Sequence, residues 1–352
     1  MLSLIFISSA LQQPRHQKRI DLLSKEYDLK VLYFFRDKYT DNYKNYIDNA
    51  IRIGEVKDGK YFSRVYLLLK LFFILIGSSV KNVYCTSPDQ VLIALLARKK
   101  VFFEVGDLYQ IDGRNKIYQI LDKFILPRIS GLILTSQYFY SGYFKKFHNF
   151  LKNKVLIVEN KLVTNCEAFV SDYRNNFYKK KQDKIFKFGL IGSLAFKKSL
   201  LKIREFIINN PQYELHIYGD GLINIFHDIP NCFYHGHFKS PEDLPSIYNN
   251  IDINIILYDY DNNNVKLALP NKLYESIAFL KPIICASGVA LSEYVVSNHI
   301  GVIVEGNDLE ASARKIINEY EFYIKSLAKM PSSSYLCYEQ EQILELLKSN
   351  RW

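Results

Sequence analysis

Cysteine is sparse and unpatterned: Cys85, Cys166, Cys232, Cys285 and Cys337 are scattered along the chain and form no C-x-x-C pair. That excludes a disulfide framework and a zinc ribbon, and a reducing compartment is expected. Long apolar runs are also missing. The stretch "VYLLLKLFFILIG", Val65 to Gly77, is interrupted by Lys70 and falls short of the roughly 18 to 20 residues that span a bilayer, so it reads as a helix, either of the core or lying in a membrane interface. A signal peptide carries positive charge ahead of its apolar region, whereas here the first charge is Arg15, so residues 2–8 read as a buried first strand. No G-x-G-x-x-G occurs, and "GDG" at Gly219 to Gly221 reads as a turn. "HGH" at His235 to His237 lacks a third ligand at a metal-site spacing and reads as loop or surface histidines. "DYD" at Asp259 to Asp261 has the form of a metal-diphosphate motif but follows a strand late in the chain, where a loop cap is expected and a metal is not.

What the chain does have is bulk and alternation. Its 352 residues, 49% apolar and 15% aromatic, suffice for two domains with sizeable cores. The formal charge of +10 is unevenly spread: residues 1–183 hold 30 Lys/Arg against 17 Asp/Glu, a balance of +13, and residues 184–352 hold 16 against 19, a balance of −3. A basic first half suits an anionic membrane surface or a phosphorylated acceptor, and no recognised nucleic-acid motif accompanies it. Strand-like and helix-like segments alternate as in parallel sheets covered by helices. "LSLIFIS", "KVLYFF", "NVYCTS", "KVFFEV", "GLILTS" and "KVLIVE" form one Rossmann-like series, and "KFGLIGS", "ELHIYG", "CFYHGHF", "INIILY", "PIICAS" and "GVIVEG" a second. The fold class is α/β, with a first domain over 1–165, a polar basic linker over 166–184, a second domain over 185–330, and a closing helix within 331–352 that returns to the first domain.

One segment of the second series points to a ligand. "PNKLYESIAFLKPII" places a helix after Pro270, with Asn271 as its cap, Lys272 to about Leu280 as its body and Pro282 opening the next strand. Such a helix starts at the carboxyl ends of the sheet, where free N–H groups and Lys272 favour a diphosphate. Glu275, one turn on, is placed to accept hydrogen bonds from ligand hydroxyls.

The segments "FGLIGSLAFKKSLLKIREFI", "YELHIYGDG", "FYHGHFKSPEDLPSIYNNIDINIILY", "PNKLYESIAFLKPII" and "SEYVVSNHIGVIVEG" resemble, in order and spacing, the nucleotide-sugar domain of GT-B glycosyltransferases of family 4, of the bacterial capsule, O-antigen and lipopolysaccharide type. "SSALQQPRHQKRIDLL", "VFFEVGDLYQ" and "GLILTSQYF" resemble the first domain more weakly. The resemblance implies two Rossmann-like domains facing a central cleft. It implies a hexosyltransferase-like enzyme that needs no cofactor or metal and passes a sugar from a nucleotide-sugar donor to a lipid-linked glycan, with retention. The protein would then be cytoplasmic, peripheral on the inner face of the cytoplasmic membrane. Gly192 and Gly219 match the family's donor loops, Lys197 or Lys198 falls near its phosphate-binding lysine, and Asn271, Lys272, Leu273 and Glu275 match its donor helix. Ser193 stands where the family often has an arginine, and Leu267 where it has the first of two glutamates. On the acceptor side Glu104 and Asp107 match "E-x-R-D", with Gly106 replacing the arginine. Asp107, Glu104 and His16 are the candidate groups to orient the acceptor hydroxyl or take its proton. A nucleotide-sugar 2-epimerase of the same architecture and a non-catalytic partner of the same fold are the alternatives, the second kept open by Leu267.

Overall fold

A computed structural model describes residues 2–11, 13–35, 50–56, 61–108, 116–177, 185–259, 263–306 and 308–349. The chain divides into two compact units, Met1–Glu159 with Glu339–Trp352, and Asn160–Tyr338.

The first unit holds a parallel sheet of β1 (Leu2–Ser8), β2 (Tyr27–Phe35), β3 (Ile51–Glu55), β4 (Asn82–Cys85), β5 (Lys100–Val105), β6 (Gly131–Leu134) and β7 (Val155–Ile157), in the order β3-β2-β1-β4-β5-β6-β7. Its central strands are apolar almost throughout, as strands covered on both faces must be. Phe6 of β1 sits opposite Val31 of β2 and Tyr84 of β4, and Phe6 and Tyr84 are fully buried. The edge strand β3, "IRIGE", is too short and too polar to have stood out in the sequence. The apolar run belongs to a helix, Tyr61–Ile76. The closing helix Glu341–Ser349 lies in this unit, where the Leu346 side chain packs so tightly on Gly131 that a Cβ there would come within 2.9 Å of it.

The second unit holds β8 (Lys187–Ile191), β9 (Glu214–Tyr218), β10 (Cys232–Gly236), β11 (Ile253–Ile256), β12 (Ile283–Ala286) and β13 (Gly301–Val304), all parallel, in the order β10-β9-β8-β11-β12-β13. The chain winds outward from β8 in one direction and returns through β11 in the other. Right-handed crossovers then put the helices on opposite faces and open a crevice at the carboxyl ends of β8 and β11. In the first unit the same reversal falls between β1 and β4.

The expected linker over 166–184 is not one along its described part. Residues Glu167–Asn176 form a helix of the second unit, because its apolar face finds a partner there. Tyr173 meets the Phe279 ring edge-on at 5.0 Å and donates its hydroxyl to the Tyr248 carbonyl at 3.1 Å. Arg174 donates to the Ile277 and Leu327 carbonyls at 2.8 and 3.0 Å, closing the carboxyl ends of two helices. Phe279 is fully buried between Tyr173 and the Tyr248 ring, stacked at 4.9 Å. Phe279→Ala is expected to cost about 3 to 5 kcal/mol, read as a lowered urea midpoint of the second unit, since a cavity opens where three rings meet.

Candidate active site

In the second unit the carboxyl ends of β8 and β9 run into each other. Gly192 follows β8 at φ 113°, and its N–H donates to the Tyr218 carbonyl at 2.8 Å. Gly219 follows β9 at φ 125°, and a Cβ on it would stand 2.0 Å from the Gly192 carbonyl oxygen, so only glycine fits. Over this floor lies Lys272, whose Cε is 3.6 Å from where a Gly192 Cβ would be. The helix carrying it runs Asn271–Ala278, with extended Pro270 as its cap and no side-chain cap bond, so Asn271 is the first helical residue and not the cap. Proline ends the extended approach and presets the entry angle, and the Asn271 side chain is left at the helix mouth.

Lys272 is held from two sides. Its Nζ donates to Glu275 Oε2 at 2.7 Å and sits 4.9 Å from the centre of the Phe238 ring. Glu275 also accepts the Tyr248 hydroxyl at 2.8 Å. Burial first, and then the neighbouring carboxylate, push that hydroxyl well above its usual range, so it stays a donor. Glu275 is only 3% exposed. It is therefore a support for Lys272 and not the open acceptor of ligand hydroxyls the sequence suggested. Leu273, which the resemblance places in the donor helix, is fully buried, and its N–H donates to the Pro270 carbonyl at 3.0 Å.

The second cationic helix start, Lys197–Asn209, already holds an anion of its own. Asp259 accepts from the Lys198 N–H at 3.2 Å and from the Ser199 N–H and hydroxyl at 2.8 Å each. Its carboxylate caps that helix, which competes with phosphate for the same N–H groups. Lys197, Lys198 and Ser193 are exposed beside it. Asp261 lies outside the described residues, and among the described residues no group of three or more His, Cys, Asp or Glu could hold a metal. Leu267 ends the short helix Asn263–Leu267. His235 is on strand β10 and not in a loop; its Nε2 lies 3.0 Å from His216 Nδ1.

In the first unit the acceptor-side candidates gather at the switch between β1 and β4. Glu104, at 1% exposure on β5, accepts Arg19 through Nε and Nη2 at 3.0 Å each and the Tyr84 hydroxyl at 2.6 Å. Burial alone would raise its pKa, but the Arg19 guanidinium outweighs it and brings the carboxyl down to about 2. So ionised and so enclosed, it anchors arginine and takes no proton. Arg15, one helical turn before Arg19, explains the departure at Gly106. Its guanidinium lies over that glycine, where a Cβ would come within 1.8 Å of Arg15 Cζ. An arginine thus occupies the space a side chain at 106 would need, 3.9 Å from Asp107 Oδ2. Asp107, its side chain 37% exposed, is the most open of the three candidates.

His16 is an interior residue. It lies in the first turn of the helix Pro14–Ser24, fully buried. Its Nδ1 is 2.8 Å from both Ser8 Oγ and the Ala10 carbonyl. A carbonyl only accepts, so Nδ1 carries the proton and Nε2 is left bare, buried and unpartnered. To reach an acceptor it would first have to be uncovered. Nothing along the chain marks Tyr84, Tyr248 or Phe238 as supports; the i, i+4 spacing of Arg15 and Arg19 is the one legible hint that both share a helix face.

Residues 187–321 match the family model described as glycosyl transferases group 1. Over these residues the second unit is similar to a group 1 glycosyltransferase domain. The succinoglycan biosynthesis protein ExoL of Rhizobium meliloti is 22% identical over 345 residues, covering 89% of this chain and 83% of that protein. Among solved structures, Anabaena HepE in complex with UDP and glucose superposes with a TM-score of 0.70 at 13% identity, over 99% of this chain and all of that one. Sucrose-phosphate synthase of Thermosynechococcus elongatus gives 0.70 at 12%, covering 99% and 98%. The UDP-GlcNAc 2-epimerase of Neisseria meningitidis gives 0.59 at 12%, covering 99% and all of that chain. The fold is thus α/β of the GT-B type. The match at 187–321 takes in the Gly192 floor and the Lys272 helix but none of Glu104, Asp107 or His16.

Two outcomes are expected. Lys272→Ala should destabilise the second unit by about 3 kcal/mol, because it leaves Glu275 a buried carboxylate without its cation. The double variant Lys272→Met with Glu275→Gln should recover most of that loss in urea titration. The second concerns acid. Burial, then Arg15, lower the His16 imidazole from 6.5 to about 3. Between those values the unfolded chain binds a proton the folded one refuses, so stability present above pH 6.5 is lost as pH falls. At about 1.4 kcal/mol per proton per pH unit, bringing the pH to 5 costs the first unit roughly 2 kcal/mol. His16→Gln should flatten the urea midpoint between pH 7.5 and 5, leaving the further Glu104 loss from 4.5 toward 2.

Proposed function

We propose that the protein transfers a sugar from a nucleoside-diphosphate donor to a lipid-linked glycan during bacterial surface polysaccharide synthesis, without a resident metal and with retention at the anomeric carbon. The observation that carries this reading is the Lys272 ammonium fixed over the Gly192 turn at the open start of the helix Asn271–Ala278.

Breaking the sugar-phosphate bond leaves positive charge on the ring and adds negative charge to the departing diphosphate. Helix N–H groups and a preset ammonium stabilise that diphosphate, and because they are already oriented they cost little reorganisation. Glu275 keeps Lys272 in place without cancelling the helix field, since it lies beneath the ammonium and not at the helix mouth. Lys197 and Lys198 add positive charge nearby, outside the N–H groups that Asp259 fills. On the acceptor side Asp107 orients the attacking hydroxyl. Arg15 holds a fixed positive charge beside it, and Glu104 with Arg19 and Tyr84 makes the rigid floor.

Supporting the substrate class, HepE is described in complex with UDP and glucose, and ExoL is a succinoglycan biosynthesis protein. UDP is therefore the nucleotide to test first. The basic surplus of residues 1–183 supports an acceptor met at the inner face of the cytoplasmic membrane.

UDP should raise the melting temperature of the wild-type protein, since a ligand bound only by the native state stabilises it. In the folded Lys272→Met/Glu275→Gln variant the shift should shrink as affinity falls roughly tenfold or more, about the 1.4 kcal/mol one charged contact supplies. Transfer from a UDP-sugar should survive EDTA. Loss in EDTA with recovery in Mn²⁺ would move phosphate binding to Asp259 and Asp261, and release of an epimerised nucleotide sugar without acceptor would favour the epimerase.

A further inference from the structure

The helix Tyr61–Ile76 has two apolar faces where a surface helix ordinarily has one. Leu67, Leu71 and Leu75 are buried in the first unit. Phe62, Tyr66, Leu69 and Phe73 point the other way, at 94%, 68%, 52% and 69% exposure. Their spacing of three, four and seven residues puts them on one stripe. The helix Pro88–Leu96 packs beside it and in turn against the helix Lys116–Ile125, whose Ile117, Ile120 and Phe124 are exposed as well. Scattered exposed apolar residues need no explanation, but a band of large ones across neighbouring helices does.

The charges exposed on the helices Tyr61–Ile76 and Lys116–Ile125 themselves are of one sign. Residues 61–76 contain no carboxylate, and Arg64 there pairs with Asp89 at 2.7 Å. On Lys116–Ile125 the lysines Lys116 and Lys123 are exposed, while the one acid, Asp122, is fully buried and accepts the Tyr143 hydroxyl at 2.8 Å. An apolar stripe edged by lysines matches the two layers of an anionic bilayer interface, acyl chains for the rings and headgroups for the ammonium groups. A second copy of the chain would set these lysines against their own equivalents.

We propose that the outward faces of helices Tyr61–Ile76 and Lys116–Ile125 form a surface that lies in the interface of an anionic lipid bilayer. It deepens the membrane-bound acceptor of the proposed function, but vesicle binding is read without nucleotide or acceptor, so its failure and a failure of donor binding are distinguishable.

The test is co-sedimentation of the full chain with vesicles of phosphatidylglycerol and phosphatidylcholine, beside vesicles of phosphatidylcholine alone. Binding to the mixed vesicles should exceed binding to the neutral ones and fall as salt rises from roughly 0.05 to 0.5 M. Phe62→Ser/Tyr66→Ser/Phe73→Ser and, separately, Ile117→Ser/Ile120→Ser should lower the bound fraction severalfold with unchanged melting temperature, because these side chains already face solvent. Lys116→Glu/Lys123→Glu, which touches no apolar contact, should abolish the preference for anionic vesicles. Equal binding to both vesicle types, no binding by the wild-type chain, or a concentration-dependent dimer that the serine variants dissociate would each overturn the proposal, the last by making the surface an interface between copies.

Discussion

A buried carboxylate that must not lose its cation governs the candidate donor site. Glu275 is nearly inaccessible, yet Lys272 and Tyr248 reach it at 2.7 and 2.8 Å. Removing water from a carboxylate is costly, and the cost is met only while both partners stay in place. The ammonium is therefore kept at one point, above the close approach of Gly192 and Gly219 and at the start of a helix whose N–H groups face the same way. Phe238 adds a ring on the other side of the ammonium. Much of the conformational entropy of a lysine is thus spent on folding and not on binding.

The first unit repeats the arrangement with different residues. Glu104 is clamped by Arg19 and by the Tyr84 hydroxyl at 2.6 Å, at the carboxyl end of a strand in a sheet that reverses direction nearby. In both units a carboxylate fixes a cation and a tyrosine supplies a further hydrogen bond. Arginine serves where the fork can be bidentate, and lysine where one ammonium meets both a carboxylate and a ring. In each unit, as a result, the cation nearest the strand ends is held in place by a buried carboxylate.

Much of this architecture was legible in the sequence. Apart from the edge strand β10, the strands of the second unit are largely buried and mostly apolar, which hydrophobic patterning finds readily, and the helix after Pro270 was placed within a residue or two. What failed has a common cause. Glu275 and His16 were read as reachable by substrate because sequence gives a residue's neighbours along the chain and not the side chains that cover it. Tyr248 comes from 27 residues before Glu275, and Tyr84 from 20 before Glu104. Residues 167–176 read as linker because their polar face dominates the composition, although Tyr173 and Val170 suffice to dock them. Gly106 looked like a lost arginine, and only the fold shows Arg15 lying over it.

Whether the Lys272 ammonium and its helix start are where a donor's diphosphate binds is tested most directly by a crystal structure with UDP. A phosphate oxygen is expected within about 3 Å of Lys272 Nζ and of a first-turn N–H of the helix Asn271–Ala278. A diphosphate seated instead on the helix Lys197–Asn209, with Asp259 displaced from its N–H groups and Lys272 still turned to Glu275 alone, would contradict it.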